Sequence, residues 1–137
     1  MFQKQVQSFI AIWNGADLEG LDAIAATNIV RRGPSVSMPA KNIEELKEVI
    51  KSMRAAFPDL ELTLDDAAYV GDHAFVRWTF KGTNTGPGQF PPTGKPVKIT
   101  GMSLVRYASG KAVEEDVYFD SLDMLTQLGL AQSPIAP

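Results

Sequence analysis

Residues 99–128, ITGMSLVRYASGKAVEEDVYFDSLDMLTQL, contain two strands joined by a tight turn and followed by a short helix. The turn lies at Ala108, Ser109 and Gly110, because glycine adopts a positive φ at little cost and serine tolerates turn geometry. Apolar and polar residues alternate on both sides of the turn, which is the pattern of half-buried strands. These residues therefore predict an antiparallel hairpin.

The pairing of the two strands follows from the position of the turn. If the hairpin is symmetric about Ser109, Tyr107 lies opposite Lys111 and Met102 lies opposite Asp116. Because side chains alternate along a strand, one face of the second strand carries three carboxylates and a tyrosine. That face holds Glu114, Asp116, Tyr118 and Asp120, and the other face holds Glu115, Val117 and Phe119.

The three carboxylates have two interpretations. A carboxylate held beside Met102 and other apolar groups has its charged form disfavoured, which makes it a stronger base near neutral pH. The alternative is that this face is exposed to solvent, as Asp and Glu usually are. The pattern of residues leaves both interpretations open.

The composition excludes several classes of protein. The chain has 137 residues, of which 45% are hydrophobic, and this predicts one globular domain over residues 1–137. It has no long apolar run and no signal pattern at its N-terminus, so we expect a cytoplasmic protein that does not bind membranes. With no cysteine and one histidine there is no basis for a metal site, and the net charge of −3 argues against a nucleic-acid partner.

The first part of the chain has the periodicity of helices. Apolar residues at steps of three and four predict a first helix that ends at residues 14–15 and a third helix between Asn42 and Pro58. Asp17 caps a short second helix that runs through Ala25. Residues 28–38 are predicted to be extended, with a pair of arginines, Arg31 and Arg32, facing solvent.

The period changes to two after the third helix, which predicts strands from Leu60 onward and over residues 73–81. Arg77 is a candidate for an anion contact or, more simply, a cross-strand ion pair. His73 lies beside a turn and is expected to be solvated. The long loop over residues 82–95 has too many residues for a plain hairpin, so we expect it to act as a mobile lid with Phe90 closing the pocket.

Helices followed by a run of strands indicate the α+β class. We expect N-terminal helices packed over a strongly curved antiparallel sheet, whose apolar interior forms a cone with a pocket for a small molecule.

Six segments of the chain carry a resemblance to a known family. They are WNGADLEGLD at 13–22, AAFPDLELTLDD at 55–66, GDHAFVRWTFKGTNTG at 71–86, PPTGKPV at 91–97, SGK at 109–111 and DSLDMLTQLG at 120–129. In this order they resemble the SnoaL-like polyketide cyclase, or ester cyclase, family, which has the nuclear-transport-factor-2-like fold. The resemblance extends from about Phe9 to Gly129.

The resemblance implies a mechanism. Members of the family close a ring by an intramolecular aldol condensation without a cofactor, and an Asp of the last strand acts as the base. Alignment through the hairpin places that Asp at Asp116, in preference to Asp120, and places the opposing family His at Met102. Met102 cannot donate a proton, and Asn84 stands where relatives with a GTHTG segment have His, so both positions depart from the family.

The resemblance also implies a site and its partners. Asp116 is the predicted catalytic residue, and Tyr118 or Arg77 is the predicted donor to the enolate. The predicted substrate-binding residues are Trp13, Phe57, Trp78, Met102 and Tyr118. We expect a small hydrophobic substrate, no cofactor and a homo-oligomer, either a dimer or a tetramer. Alternative functions are a double-bond isomerase or dehydratase on the same fold, or a ligand-binding or dimerisation module without chemistry.

Overall fold

The computed structural model describes residues 2–35 and 38–135, in which helices pack on a curved five-stranded sheet. The helices are α1 (Gln3–Trp13), a 3-10 turn (Leu18–Gly20), α2 (Leu21–Ile24), α3 (Ile43–Ala56) and α4 (Ser121–Gln127). The strands are β1 (Ala25–Arg32), β2 (Glu61–Val70), β3 (His73–Thr83), β4 (Pro96–Ala108) and β5 (Lys111–Phe119). The α+β class predicted from the sequence is confirmed.

Helix α3 begins where its capping residue predicts. The side chain of Asn42 accepts a hydrogen bond of 2.9 Å from the backbone N–H of Glu45, which satisfies a donor that the first helical turn leaves free. Helix α2 is shorter than predicted, because Ala25 has an extended backbone and begins β1. Of the predicted extended segment 28–38, residues 36 and 37 lie outside the described part of the chain.

The sheet has the strand order β1-β5-β4-β3-β2. Neighbours β2 to β5 pair antiparallel, whereas β1 pairs parallel with β5. The sheet is therefore mixed, and the prediction of a wholly antiparallel sheet is wrong for β1. Two parallel strands need a long connection between them. Here the connection from β1 to β5 contains α3 and strands β2 to β4.

The hairpin between β4 and β5 has a two-residue turn. Ser109 and Gly110 both have positive φ, 52° and 80°, as the favoured hairpin turns require. Ala108 pairs with Lys111 and Tyr107 pairs with Ala112, and a β-bulge between Arg106 and Tyr107 then shifts the register again. The predicted symmetry about Ser109 is therefore wrong, and Met102 pairs with Tyr118, not with Asp116.

The core lies between the helices and the inner face of the sheet. Its larger cluster joins α1, α2 and α3 to β3, β4 and β5, and includes Leu21, Leu46 and Ile50. A second cluster, under α4 and the loop after β3, includes Phe57, Phe80 and Leu128. The two clusters leave a cavity between them.

Candidate active site

The inner face of the sheet and the helices above it enclose a cavity of about 560 Å³. Its wall is mostly apolar, with side chains from α1, α3, α4, the sheet and the loop after β3. Three of the predicted substrate-binding residues, Trp13, Phe57 and Trp78, line it. A volume of this size is in the range of small-molecule sites in proteins.

The alternation of β4 and β5 decides which side chains reach the cavity. On β5 these are Ala112, Glu115, Val117 and Phe119, and on β4 they include Ser103 and Val105. The alternation along β5 predicted its two faces correctly, but the face that carries Asp116 is the outer one and not the inner one. The outer face of β5 carries Glu114, Asp116 and Tyr118.

Glu115 is the only buried carboxylate among the residues that the structure describes. Its side chain is 7% exposed and lines the cavity. Burial raises the pKa of the Glu115 carboxyl, and the positive charge of Arg31 only partly offsets that effect. A carboxyl with a raised pKa among apolar groups is well suited to accept a proton near neutral pH.

Arg31 is the charged neighbour of Glu115. Its Nε lies 3.4 Å from Glu115 Oε1, and its Nη1 donates a hydrogen bond of 3.0 Å to the carbonyl of Met38. The guanidinium also lies over the ring of Trp13, 5.9 Å from its centroid. The prediction that both arginines face solvent is right for Arg32 and wrong for Arg31, which lines the cavity.

Two polar atoms of this pair have no hydrogen bond of good geometry. They are Arg31 Nε and Glu115 Oε1, and both are fully buried. Buried polar atoms usually have a hydrogen-bond partner; here the two side chains are held together by their opposite charges and not by a well-aligned hydrogen bond.

Asp116 lies on the outer face of the sheet, where it pairs with the neighbouring strand. Its Oδ1 is 2.8 Å from Arg32 Nε, and Leu104 is the residue opposite it on β4. The prediction that Asp116 faces an apolar interior beside Met102 is wrong. The turn has two residues instead of three and a bulge follows it, so the pairing on which that prediction depended does not form.

Two further predicted binding residues also lie outside the cavity. Met102 is 47% exposed and Tyr118 is 55% exposed, and neither lines the cavity. Arg77 pairs with Met102 in the sheet and is exposed, so neither of the predicted enolate donors reaches the interior. His73 forms a 2.7 Å contact from Nδ1 to the Asp72 carboxylate beside the turn, as expected for a residue at the surface.

Asn84, where relatives have His, holds the loop after β3. The side chain is 1% exposed; its Nδ2 donates to the Ala56 carbonyl, and its Oδ1 accepts from the backbone N–H and the hydroxyl of Thr93. The base of the predicted lid is thus fixed to the end of α3. Phe90, further along the loop, lines the cavity and packs against the second cluster.

Tyr107 lines the cavity and is not among the residues predicted for the site. Its ring stacks on Phe2, with centroids 4.1 Å apart, and burial raises the pKa of its hydroxyl. Its inward position on β4 is the sequence pattern that could have identified it.

In the described residues, no group of three His, Asp or Glu side chains is arranged to hold a metal ion. None of the described helices combines the length and apolar character that a membrane span needs.

Comparison with known proteins gives a family match over nearly the whole chain. The model of the SnoaL-like polyketide cyclase family matches residues 3–128. No curated protein matches significantly.

Several solved structures have a similar fold. TsrD from Streptomyces laurentii is 28% identical, with a TM-score of 0.83 over 94% of this chain and 95% of that chain. IdmH from Streptomyces antibioticus, a proposed polyketide cyclase, is 28% identical, with a TM-score of 0.78 over 92% of this chain and 96% of that chain. A protein from Catenulispora acidiphila with a ketosteroid isomerase-like fold has a TM-score of 0.80 at 18% identity, over 96% of this chain and 98% of that chain, and supports the fold alone.

Proposed function

Because the chain belongs to the SnoaL-like polyketide cyclase family, we propose that it is a cofactor-independent enzyme acting on a small apolar carbonyl compound in its cavity. The reaction begins when a carboxylate removes a proton from the carbon next to a carbonyl, and it continues as an intramolecular aldol-type ring closure. The proposal places Glu115, not Asp116, as the general base.

The observation that carries the proposal is the position of Glu115. It is the only buried carboxylate among the described residues, and it lies on the mostly apolar wall of the cavity beside Arg31. A carboxyl group with a raised pKa on the wall of a mostly apolar cavity is placed to take a proton from a molecule bound there. Asp116, held by Arg32 on the outer face, has no access to a molecule in the cavity.

Two residues of the cavity wall, Glu115 and Arg31, take part in the proposed proton transfers and stabilise the enolate. Glu115 accepts the proton, and the electron pair of the broken C–H bond moves into the carbonyl to give an enolate. Arg31 lies beside Glu115 and supplies the positive charge that stabilises the enolate oxygen. The enolate carbon then bonds to a second carbonyl carbon of the same molecule, and the new alkoxide takes the proton back from Glu115.

The apolar wall has a separate role. Trp13, Phe57 and Trp78 bury the hydrocarbon part of the substrate and hold it folded, so that the two reacting carbons stay close. An isomerase or a dehydratase on this fold shares the same first step, the removal of a proton next to a carbonyl. A test of that step therefore tests the chemistry common to these enzymes.

The test measures proton exchange in a simple ketone. 2-Tetralone is incubated with the protein in D₂O, and the loss of the C1 proton signal is followed by NMR, with saturation transfer to confirm binding. We expect the wild type to accelerate exchange and Glu115→Gln to lose about 100-fold or more of that acceleration, the usual contribution of a general base. Asp116→Asn, one residue away on the outer face, is the matched control and retains the wild-type rate.

Two results would contradict the proposal. One is exchange by the wild type at the rate of buffer alone although the ketone is bound. The other is the reverse pattern in the variants, with Glu115→Gln active and Asp116→Asn inactive.

A further inference from the structure

Tyr107 carries a hydroxyl without a hydrogen-bond partner on the cavity wall. The residue is 5% exposed, and a tyrosine hydroxyl buried to this extent usually has a partner. The Tyr107 hydroxyl bonds to none of the described residues. Among those residues, the fully buried polar atoms without a hydrogen bond are Arg31 Nε, Arg54 Nε and Glu115 Oε1. The Tyr107 hydroxyl is not one of them, so it keeps accessible surface for a molecule in the cavity that Tyr107 lines.

The ring of Tyr107 is held in place before any ligand binds. Phe2 stacks on it with the centroids 4.1 Å apart and the two planes 4° from parallel. The backbone N–H of Tyr107 donates to the carbonyl of Asp72 at 2.8 Å. A donor that is already oriented loses little freedom when a ligand binds. Burial raises the pKa of the Tyr107 hydroxyl, so it keeps its proton at neutral pH and can donate it in a hydrogen bond.

Tyr107 and Arg31 lie on opposite sides of Glu115 in the sheet. Arg31 on β1 pairs with Glu115 on β5, and Val105 on β4 pairs with Glu115 from the other side. Tyr107 follows Val105 by two residues and shares its face of the sheet. Diagonal neighbours such as Tyr107 and Glu115 have Cα atoms about 7–8 Å apart, within reach of an aromatic side chain. The carboxyl group therefore lies between a guanidinium and a phenol on the cavity wall.

We propose that Tyr107 binds a second oxygen of the substrate, and that the substrate is a 1,3-dicarbonyl compound whose acidic carbon lies between its two oxygens. This rests on the proposed function for the roles of Glu115 and Arg31. Arg31 binds one carbonyl oxygen, Tyr107 donates a hydrogen bond to the other, and Glu115 takes the proton from the carbon between them. The electron pair of the broken C–H bond is shared by both oxygens, so each donor stabilises the enolate. Tyr107 keeps its own proton throughout.

The test compares two ligands that differ by one carbonyl group. 5-Phenylcyclohexane-1,3-dione has two oxygens that point apart, and at neutral pH it is largely ionised to an enolate. 3-Phenylcyclohexanone has the same apolar part and one oxygen. We expect Tyr107→Phe, which keeps the ring and loses the hydroxyl, to weaken binding of the dione about tenfold, as for the loss of one hydrogen bond to a charged oxygen. Binding of 3-phenylcyclohexanone should weaken less, because its oxygen can bind at Arg31. Titration calorimetry measures both affinities.

The second readout is the ultraviolet spectrum of the bound dione, in which the enol and the enolate have different absorption maxima. The pH at which the bound dione ionises should move upward in Tyr107→Phe, because the lost donor stabilised the charged form. The control is Tyr69→Phe, which makes the same change at a tyrosine that packs against the core and does not line the cavity. It should leave both readouts unchanged.

Equal affinities of the wild type and Tyr107→Phe for the dione would overturn the inference, and so would a wild type that does not bind the dione. An equal loss for both ligands, or the same loss in Tyr69→Phe, would also overturn it, because the change would then reflect the shape of the cavity and not a bond to the second oxygen. If the dione binds as expected but the wild type does not accelerate 2-tetralone exchange, the proposed function fails and the binding role of Tyr107 stands.

Discussion

Arg31 and Arg32 are adjacent in sequence and have opposite environments. Arg31 is buried beside Glu115, and Arg32 bridges Glu114 and Asp116 on the outer face. Removing one partner of a buried ion pair leaves an uncompensated charge and costs about 3 kcal/mol, whereas an exposed pair contributes about 1 kcal/mol or less. We therefore expect Arg31→Leu to lower the free energy of unfolding by about 3 kcal/mol at pH 7.5, and Arg32→Leu by about 1 kcal/mol or less.

The effect of Arg31→Leu should depend on pH. Burial already raises the pKa of Glu115, so the folded protein binds this proton more tightly than the unfolded chain, and stability falls as pH rises through the unfolded value toward the folded one. Loss of the Arg31 guanidinium raises the pKa of Glu115 further. The free energy of unfolding of Arg31→Leu therefore falls more between pH 5 and pH 7.5 than that of the wild type. Urea unfolding at pH 5 and pH 7.5 measures this difference in free energy of unfolding between the wild type and Arg31→Leu. The difference should be smaller at pH 5, and an equal or larger difference at pH 5 would contradict this account.

At the scale of elements, the loop after β3 is fixed at its base to the end of α3. The N–H of Gly86 donates to the Ala56 carbonyl at 3.2 Å, and a Cβ at Gly86 would overlap the carbonyl oxygen of Ala55. The Gly86→Ala protein must therefore displace the loop, and we expect a loss of about 2 kcal/mol in urea unfolding, as for other overpacked sites. The prediction that the whole loop is a mobile lid is thus restricted to the part beyond this anchor, which carries Phe90.

Gly88 in the same loop is the matched control. A Cβ there would lie 3.3 Å from the Cβ of Ala56, which a small shift of the loop relieves. We expect Gly88→Ala to change stability by about 0.5 kcal/mol or less. Equal losses in Gly86→Ala and Gly88→Ala would mean that the loop is not held at Gly86.

At the scale of the whole molecule, the outer face of the sheet carries apolar side chains on three adjacent strands. Phe75, Met102 and Tyr118 are 39%, 47% and 55% exposed, and Met102 lies directly between Arg77 and Tyr118. The homo-oligomer predicted from the sequence would form at this face.

Sedimentation of the purified protein tests that prediction. We expect a dimer for the wild type and a shift toward monomer in Met102→Lys, which places a charge at the centre of the face. Leu122→Lys, at an exposed position of α4, is the control and should not change the mass. A monomeric wild type at micromolar concentration, or equal dissociation by both variants, would contradict the prediction.

The periodicity of the sequence predicted α1, α3 and the hairpin, because a long amphipathic segment determines its own secondary structure. It did not point to Glu115, the proposed base, although a signal was present. Glu115 shares its face with Val117 and Phe119, and one carboxylate on an apolar face is a better candidate for a buried group than three on a polar one. The burial of Arg31 was not predictable in this way, since it depends on the parallel pairing of β1 with a strand about 80 residues later.

That parallel pairing has a consequence for the order of assembly. Strand β1 is an edge strand whose sheet neighbour is β5, the last of the five strands of this sheet in chain order. During synthesis, at about 5–20 residues per second, β1 therefore lacks its sheet neighbour for several seconds while the other strands are made. Contacts so distant in sequence are slow to form, so the cavity and its buried charges appear in a late, cooperative step of folding.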